Sequence, residues 1–187
     1  MWSDRAMGII AISGKSGCGN TTVSRMVADR LGYTPVNYTF RTMAAEMGMP
    51  LEELFRKAQE SLEYDRKLDE HQTMLARKGN TVIGSRLAMW MVPEADLKVY
   101  LKASPSVRVS RIFAREGGDR KEIERFTLER DARDRQRYLA LYNIDIDDVS
   151  VAHLVIDTER WSASQVADII IDAYNISLYG EQHGKIR

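Results

Sequence analysis

Residues 9–22, Ile9-Ile10-Ala11-Ile12-Ser13-Gly14-Lys15-Ser16-Gly17-Cys18-Gly19-Asn20-Thr21-Thr22, decide the fold. An apolar run sufficient for one buried strand passes into a turn with three glycines, then into a helix expected to start near Thr21. Gly14, Gly17 and Gly19 let the chain curl, so that successive backbone N–H groups converge on an anion at the helix N-terminus. The stretch fits the phosphate-loop pattern G-x-x-x-x-G-K-[ST] everywhere except at the lysine, whose place Asn20 takes. An ordinary glycine-rich strand–helix turn is the plain alternative, and the order of strand, turn and helix argues against it.

Read as a phosphate loop, Gly14, Lys15, Ser16, Gly17, Cys18, Gly19, Asn20, Thr21 and Thr22 are expected to bind the phosphates of ATP, with Thr21 also a ligand of Mg²⁺. The missing lysine normally offsets charge on the β- and γ-phosphates. Asn20 donates amide hydrogen bonds but brings no charge. Lys15, inside the loop, is a candidate replacement if its side chain folds over the phosphates; a solvated surface lysine is the alternative. Cys18 reads as a small loop residue, or as a thiol whose pKa a helix N-terminus lowers.

Outward from the loop, short apolar runs alternate with helical spacing. Strands are expected over 7–12, 35–38, 81–83, 97–101 and 153–156, and helices over 22–31, 40–47, 51–78, 105–115, 121–142 and 163–174. Gly32 and Gly79 follow helices, Ser104-Pro105 caps one, and Ser162 with Gln165 forms a capping box. This alternation reads as an α/β fold, a parallel sheet of about five strands flanked by helices with right-handed crossovers. The helical stretch of about 38–78 interrupts it and is expected to form a smaller lobe.

A chain of 187 residues fits one domain, 1–187, and 44% apolar with 29% charged residues is a soluble globular composition. Lys+Arg 27 against Asp+Glu 27 leaves no net charge, which argues against a nucleic acid polymer or a membrane surface as partner. One cysteine excludes an intramolecular disulfide and a cysteine-rich metal site, and no segment suits a signal peptide or membrane span. The expected location is cytoplasmic. Of the basic residues eight are lysine and nineteen arginine, nine of these between Arg108 and Arg137. Such enrichment points to forked recognition of phosphate or carboxylate.

With the loop placed, residues from about 9 to 174 resemble a nucleoside monophosphate kinase, specifically cytidylate kinase of the short archaeal type. The resemblance rests on Tyr38-Thr39-Phe40-Arg41, Asp65-Arg66-x-x-Asp69, Arg86-Leu87-Ala88-x-Trp90 and Ala95-Asp96-Leu97-Lys98. It continues through Arg111-x-x-x-Arg115-Glu116-Gly117, Glu129-Arg130-Asp131-x-Arg133-Asp134-x-x-Arg137-Tyr138, Tyr142-x-Ile144-Asp145 and Ile156-Asp157-Thr158-x-x-Trp161-Ser162. It implies a P-loop kinase fold with an acceptor-binding lobe and a lid over about 108–122. It also implies ATP-dependent, Mg²⁺-dependent phosphoryl transfer to a nucleoside monophosphate, most simply CMP or dCMP. By the same resemblance Arg41 and Arg86 bind the acceptor phosphate, and Arg130, Asp134 and Arg137 hold its ribose, phosphate and base. Arg111 and Arg115 close over the transferring group as lid arginines.

The residues support this independently. Ile123, Phe126, Arg130, Arg133 and Arg137 fall at three- and four-residue steps, so they share one helix face, expected to run from core into cleft. Surface ion pairing with Glu129, Asp131 and Asp134 is the alternative, above all for Arg133 and Arg135. Three features depart from the family pattern: Asn20, the absence of an acid before Gly84-Ser85-Arg86, and a short turn before Phe40. They motivate two rival readings, a nucleotide-binding protein without turnover and a related kinase with another acceptor. Asp145, Asp147 and Asp148 read as a solvated turn or as a ribose or magnesium contact. His71, His153 and His183 lack ligand spacing, Met43, Met47 and Met49 read as lobe packing, and the polar tail 175–187 as disordered.

Overall fold

The computed structural model describes residues 8–182. In chain order its elements are β1 (Ile9–Ser13), α1 (Asn20–Leu31), β2 (Thr34–Val36), α2 (Phe40–Glu46), α3 (Leu51–Glu60), α4 (Glu63–Ala76) and β3 (Thr81–Gly84). After these come α5 (Ala88–Met91), β4 (Leu97–Lys102), α6 (Pro105–Glu116), α7 (Arg120–Tyr142), β5 (Leu154–Asp157) and α8 (Ala163–Gln182). The five strands form one parallel sheet in the order β2-β3-β1-β4-β5, with Ile10 opposite Val82 on one side and Leu97 on the other.

Every residue of β1 is buried, because helices cover both sheet faces and no solvated face remains to alternate with. Its side chains divide by the strand's two-residue period. Ile10 and Ile12 pack with Val23, Val27 and Ile170 beneath α1 and α8, whereas Ile9 and Ala11 pack with Ile83, Met89 and Tyr100 on the opposite face. β1 is central, and the chain leaves it first toward β2 and later toward β4. The loop after β1 therefore opens at the point where the strand order reverses, which is where open α/β sheets bind ligands. A separate apolar cluster of Tyr38, Met43, Ala44 and Leu54 holds α2, α3 and α4 together.

Most expected elements are present, and the differences have local causes. The single helix expected over 51–78 is two, because Ser61 takes an extended conformation (φ −145°, ψ 126°) and its hydroxyl accepts the Glu63 N–H at 3.3 Å. α5 is one short turn that the sequence did not announce. The last helix does not end at residue 174: α8 continues through Gln182 into the expected tail, with Leu178 packed against the sheet core. Residues 183–187, with His183, and Met7 of the expected first strand lie outside the described residues. Met43 and Met49 pack in the lobe as expected, but Met47 is 45% exposed. Among the described residues no helix is long and apolar enough to cross a membrane.

Candidate active site

The phosphate loop is shaped by contacts beneath and beside it. Gly17 (φ +85°) lies so close to α6 that an added Cβ would stand 2.9 Å from Arg108 Cβ and 3.0 Å from the Arg108 carbonyl oxygen. At Gly14 an added Cβ would meet the Leu101 carbonyl at 2.5 Å, so no other residue fits there without moving β4. Asn20 does not reach outward as a lysine would. Its amide nitrogen donates to the Gly14 carbonyl at 2.5 Å, and its Oδ1 is buried without a hydrogen-bond partner.

Lys15 is neither folded over the loop nor free in solvent: its Nζ lies 2.6 Å from Asp147, which also faces Arg135 at 3.4 Å. Asp147 and Asp145, which accepts a forked pair of bonds from Arg135, are thus ion-pair partners on a turn. Among the described residues no group of His, Cys, Asp and Glu is arranged to hold a metal. Cys18 is buried, and burial raises its thiol pKa, which overturns the reactive reading of this residue.

The loop lines a cavity of about 630 Å³ that also takes in Arg86, Arg111, Arg115, Thr158 and Trp161. Thr21, in the first turn of α1, stands exposed on this cavity. Arg111 is fixed at its wall, donating to the Gly17 carbonyl at 3.3 Å and to Thr158 Oγ1 and carbonyl at 2.9 and 2.7 Å. Arg115 is exposed and pairs with Glu116 at 2.5 Å.

A second cavity of about 850 Å³ lies between the α2–α4 lobe and α7. Arg86 lines both cavities, so the two meet at that guanidinium. Asp134, 6% exposed, organises the wall. Arg86 Nε lies 3.0 Å from its Oδ2 in ionic contact, although not aligned as a hydrogen bond. Arg137 donates to its Oδ1 at 3.1 Å, and Arg130 stands 4.0 Å away. Arg137 also reaches across to Asp65 on α4 at 2.9 Å. Burial lowers the pKa of Arg130, with Arg86 adding repulsion. Burial likewise raises that of Asp65, against the opposing pull of Arg137. Asp69, one turn beyond Asp65, accepts the Tyr142 hydroxyl at 2.9 Å and is pushed by burial up to about 6. A smaller space of about 400 Å³ between α6 and α7 joins the others, sharing Arg115 with the first and Phe126 and Arg130 with the second.

The expected arginine face exists, with one change: Phe126 is 55% exposed at the cavity edge instead of entering the core, and Arg133 lies over its ring at 5.7 Å. Arg135 points the other way and makes only the exposed pairs with Asp145 and Asp147. Arg41 stands apart, exposed on α2, while its neighbour Phe40 lines the second cavity. Sequence reasoning gave no role to Asp69, Tyr142 or Trp161, although the four-residue step from Asp65 to Asp69 marks one helix face. Nor did it single out Arg108, 2% exposed, which is tied to Asp131 and to the Ser16 carbonyl.

The sequence model of the cytidylate kinase-like family matches residues 9–160. A curated relative, cytidylate kinase 2 of Borreliella afzelii, is 47% identical over 167 residues, covering 87% of this chain and 94% of that protein. Cytidylate kinase of Methanocaldococcus jannaschii is 39% identical over 171 residues, covering 88% and 96%. Among solved structures, a shikimate kinase from Bacteroides thetaiotaomicron aligns with a TM-score of 0.63 at 18% identity, covering 91% of this chain and 99% of that one. A gluconokinase from Sinorhizobium meliloti aligns with a TM-score of 0.59 at 15% identity, covering 97% and 99%. At those identities the likeness concerns the fold alone.

The raised pKa of Asp69 has a thermodynamic consequence. Because the folded state holds its proton up to about pH 6 while an unfolded aspartate releases it near 4, Asp69 makes the protein lose stability as pH rises through that window. Asp69→Asn keeps an acceptor for Tyr142 and removes the titration. Between pH 4 and pH 7 the unfolding free energy of the variant should gain up to about 3 kcal/mol relative to the parent, read from urea unfolding at both pH values. Parallel pH curves for the two proteins would mean that Asp69 ionises as an exposed aspartate does.

Proposed function

We infer the reaction from one premise: this chain belongs to the cytidylate kinase-like family. It is a nucleoside monophosphate kinase, moving the γ-phosphoryl group of ATP to CMP or dCMP in the cytoplasm. The observation that carries the reading is Arg86, which lies on both cavities and is held by Asp134 on α7. Donor and acceptor phosphates meet where that guanidinium sits.

The residues take the following roles. Gly14 to Thr22 cradle the donor triphosphate, and Trp161 offers its indole at the donor cavity as a stacking face for the adenine. Arg86, Arg130 and Arg137 hold the acceptor phosphate and sugar in fork geometry; Arg41, exposed on α2 outside that cavity, reaches the acceptor phosphate only if α2 moves inward. Asp65 and Asp69, on the α4 wall, accept the exocyclic amine of cytosine; uracil presents a carbonyl there and is refused. Arg115, whose pair with Glu116 is exposed and weak, moves onto the transferring group when the α6–α7 lid closes, alongside Arg111. No general base is required, because the acceptor phosphate is already anionic.

Mg²⁺ fits this donor set. Thr21 offers a hydroxyl at the cavity, and magnesium is commonly held by substrate phosphates, waters and one or two protein oxygens. When bound it offsets charge on the phosphates.

A coupled ADP-release assay over the ribo- and deoxyribonucleoside monophosphates tests the reaction. CMP and dCMP should turn over at least about 10²-fold more efficiently than UMP, AMP or GMP, the scale of discrimination when a buried polar group is left unpaired. Nucleotide binding without any turnover would overturn the kinase reading, and turnover confined to another base would overturn the acceptor.

Lys15 supplies the charge that Asn20 lacks. An exposed pair such as Lys15–Asp147 is worth under about 1 kcal/mol, so a triphosphate outcompetes the carboxylate for Nζ. Lys15→Ala should raise the KM for ATP about tenfold in the same assay, and Asn20→Lys should restore donor affinity in that background. Parental kinetics for Lys15→Ala would leave Lys15 as a partner of Asp147 only.

The two kinds of arginine should separate kinetically. Arg115→Ala should lower kcat about 10³-fold with little change in either KM, since a contact made only in the transition state leaves ground-state binding untouched. Arg86→Ala should chiefly raise the KM for CMP. Near-parental kinetics for Arg115→Ala would place that residue on the solvated helix surface.

A further inference from the structure

We propose that Arg108 and Asp131 are a positioning pair: from outside both cavities they set the phosphate loop and fix it to the helix that carries the acceptor-binding residues. The proposal rests on the kinase reading above and adds to it a pair that neither touches substrate nor lines the donor or acceptor cavity.

The guanidinium of Arg108 is among the least exposed charged groups described, at 3% side-chain exposure. Such burial is costly, and well-packed apolar side chains of similar volume are often as stable or more so. A charge here therefore serves something besides packing. Arg108 donates Nη1 and Nη2 to the two oxygens of Asp131 at 3.2 and 2.5 Å, and Nη1 also to the backbone carbonyl of Ser16 at 3.1 Å. That carbonyl belongs to the phosphate loop. Turning it toward α6 fixes the peptide plane that follows it, and the next carbonyl, Gly17, is held in turn by Arg111. Gly17 then lies flat against the backbone of α6 at Arg108, with no room for a side chain.

At the other end of the pair, Asp131 lies on α7 beside Arg130 and one turn before Asp134, both of which line the acceptor cavity. One ion pair thus spans loop, α6 and α7, and so limits how far the donor phosphates can move relative to the acceptor. Phosphoryl transfer is mostly positioning, and a displacement of about 1 Å can cost about 10²-fold in rate.

Two variants test this. Arg108→Met/Asp131→Leu replaces the pair with apolar side chains that fill its volume, and Asp131→Asn keeps the shape but only one accepting oxygen. Each is measured for affinity toward a non-hydrolysable ATP analogue by titration calorimetry, for both KM values and kcat, and for thermal midpoint. The double variant should keep a near-parental midpoint, bind the analogue about tenfold more weakly and lose about 10²-fold in kcat, with the KM for CMP within about twofold. Asp131→Asn should shift the same quantities in the same direction by smaller factors, and decides the matter if the double variant does not fold. Parental analogue affinity and kcat in a folded variant would overturn the proposal. So would a KM for CMP that rises as far as that for ATP, since the pair would then only support α7. If the parent binds the analogue but turns nothing over, the kinase reading fails, while the analogue affinities still decide whether the pair sets the loop.

Discussion

Asp134 is the constraint on which the cleft depends. Four arginines, half-buried or exposed, line the acceptor cavity, and without an anion they repel one another. Asp134 receives Arg86 from the end of β3 and Arg137 from its own helix, with Arg130 close by, and Asp65 takes the far side of Arg137. The Arg86 and Arg137 guanidiniums are therefore aimed before any ligand arrives. An incoming phosphate finds donors already turned to one place and need not pay to order long side chains. Lysine cannot be pinned this way, because its ammonium is a point charge on a flexible stem, whereas the forked guanidinium holds a carboxylate with some donors and presents others. The overall neutrality of the chain, 27 basic against 27 acidic residues, hides this local excess of arginine.

The donor side solves a different problem. The usual lysine is absent, and Asn20 turns back to the Gly14 carbonyl, so the residue in the lysine's position braces the loop instead of reaching the phosphates. On the proposed reading, the triphosphate meets oriented backbone together with the cations that line the same cavity: Lys15, Arg86, Arg111 and Arg115. Two of these, Lys15 and Arg115, have exposed partners, Asp147 and Glu116, which an anion carrying several charges displaces, whereas Arg86 stays against the buried Asp134. Arg111 differs, because three hydrogen bonds to Gly17 and Thr158 fix it to the loop and to the end of β5.

The strand–turn–helix around Gly14–Thr22 was legible because each of its features is local: β-branched run, glycine spacing, helix start. The same holds for the capping box at Ser162, where the Ser162 N–H donates to Gln165 Oε1 at 2.9 Å and Gln165 N–H returns to Ser162 Oγ. The arginines of α7 were legible as a face, since helical period places them together. What escaped depends on contacts distant in sequence. Nothing near Arg108 says that its guanidinium will be buried against Asp131, 23 residues away, while Arg135, in the same run of arginines, stays on the surface. The break at Ser61 was missed because one serine in a helical pattern carries little weight until its side chain caps the next turn. The last turns of α8 were missed because a polar sequence looks unfavourable until Leu178 meets the sheet core.

The acceptor cavity is graded along its length, and the gradient implies an orientation. At the donor end stands Arg86, shared between cavities; along α7 follow Arg130 and Arg137; on the α4 wall are Asp65 and Asp69; and Phe40, Phe55 and Phe126 supply apolar surface. A nucleoside monophosphate has the same polarity, with its dianion at one end and a flat base at the other. Reversal would set the phosphate dianion against the two carboxylates of the α4 wall, where like charges repel. The base at that end meets acceptors, which suit a base that presents an exocyclic amine there, as cytosine does, and oppose one that presents a carbonyl at the same position, as uracil does. On the proposed reading, Asp69, raised to about 6 and so still mostly ionised at neutral pH, accepts the amine and is held in surroundings that penalise leaving it unpaired. On the same reading, orientation of the acceptor follows from this distribution of charge across the cleft, and the carboxylates at its far end contribute to the choice of base.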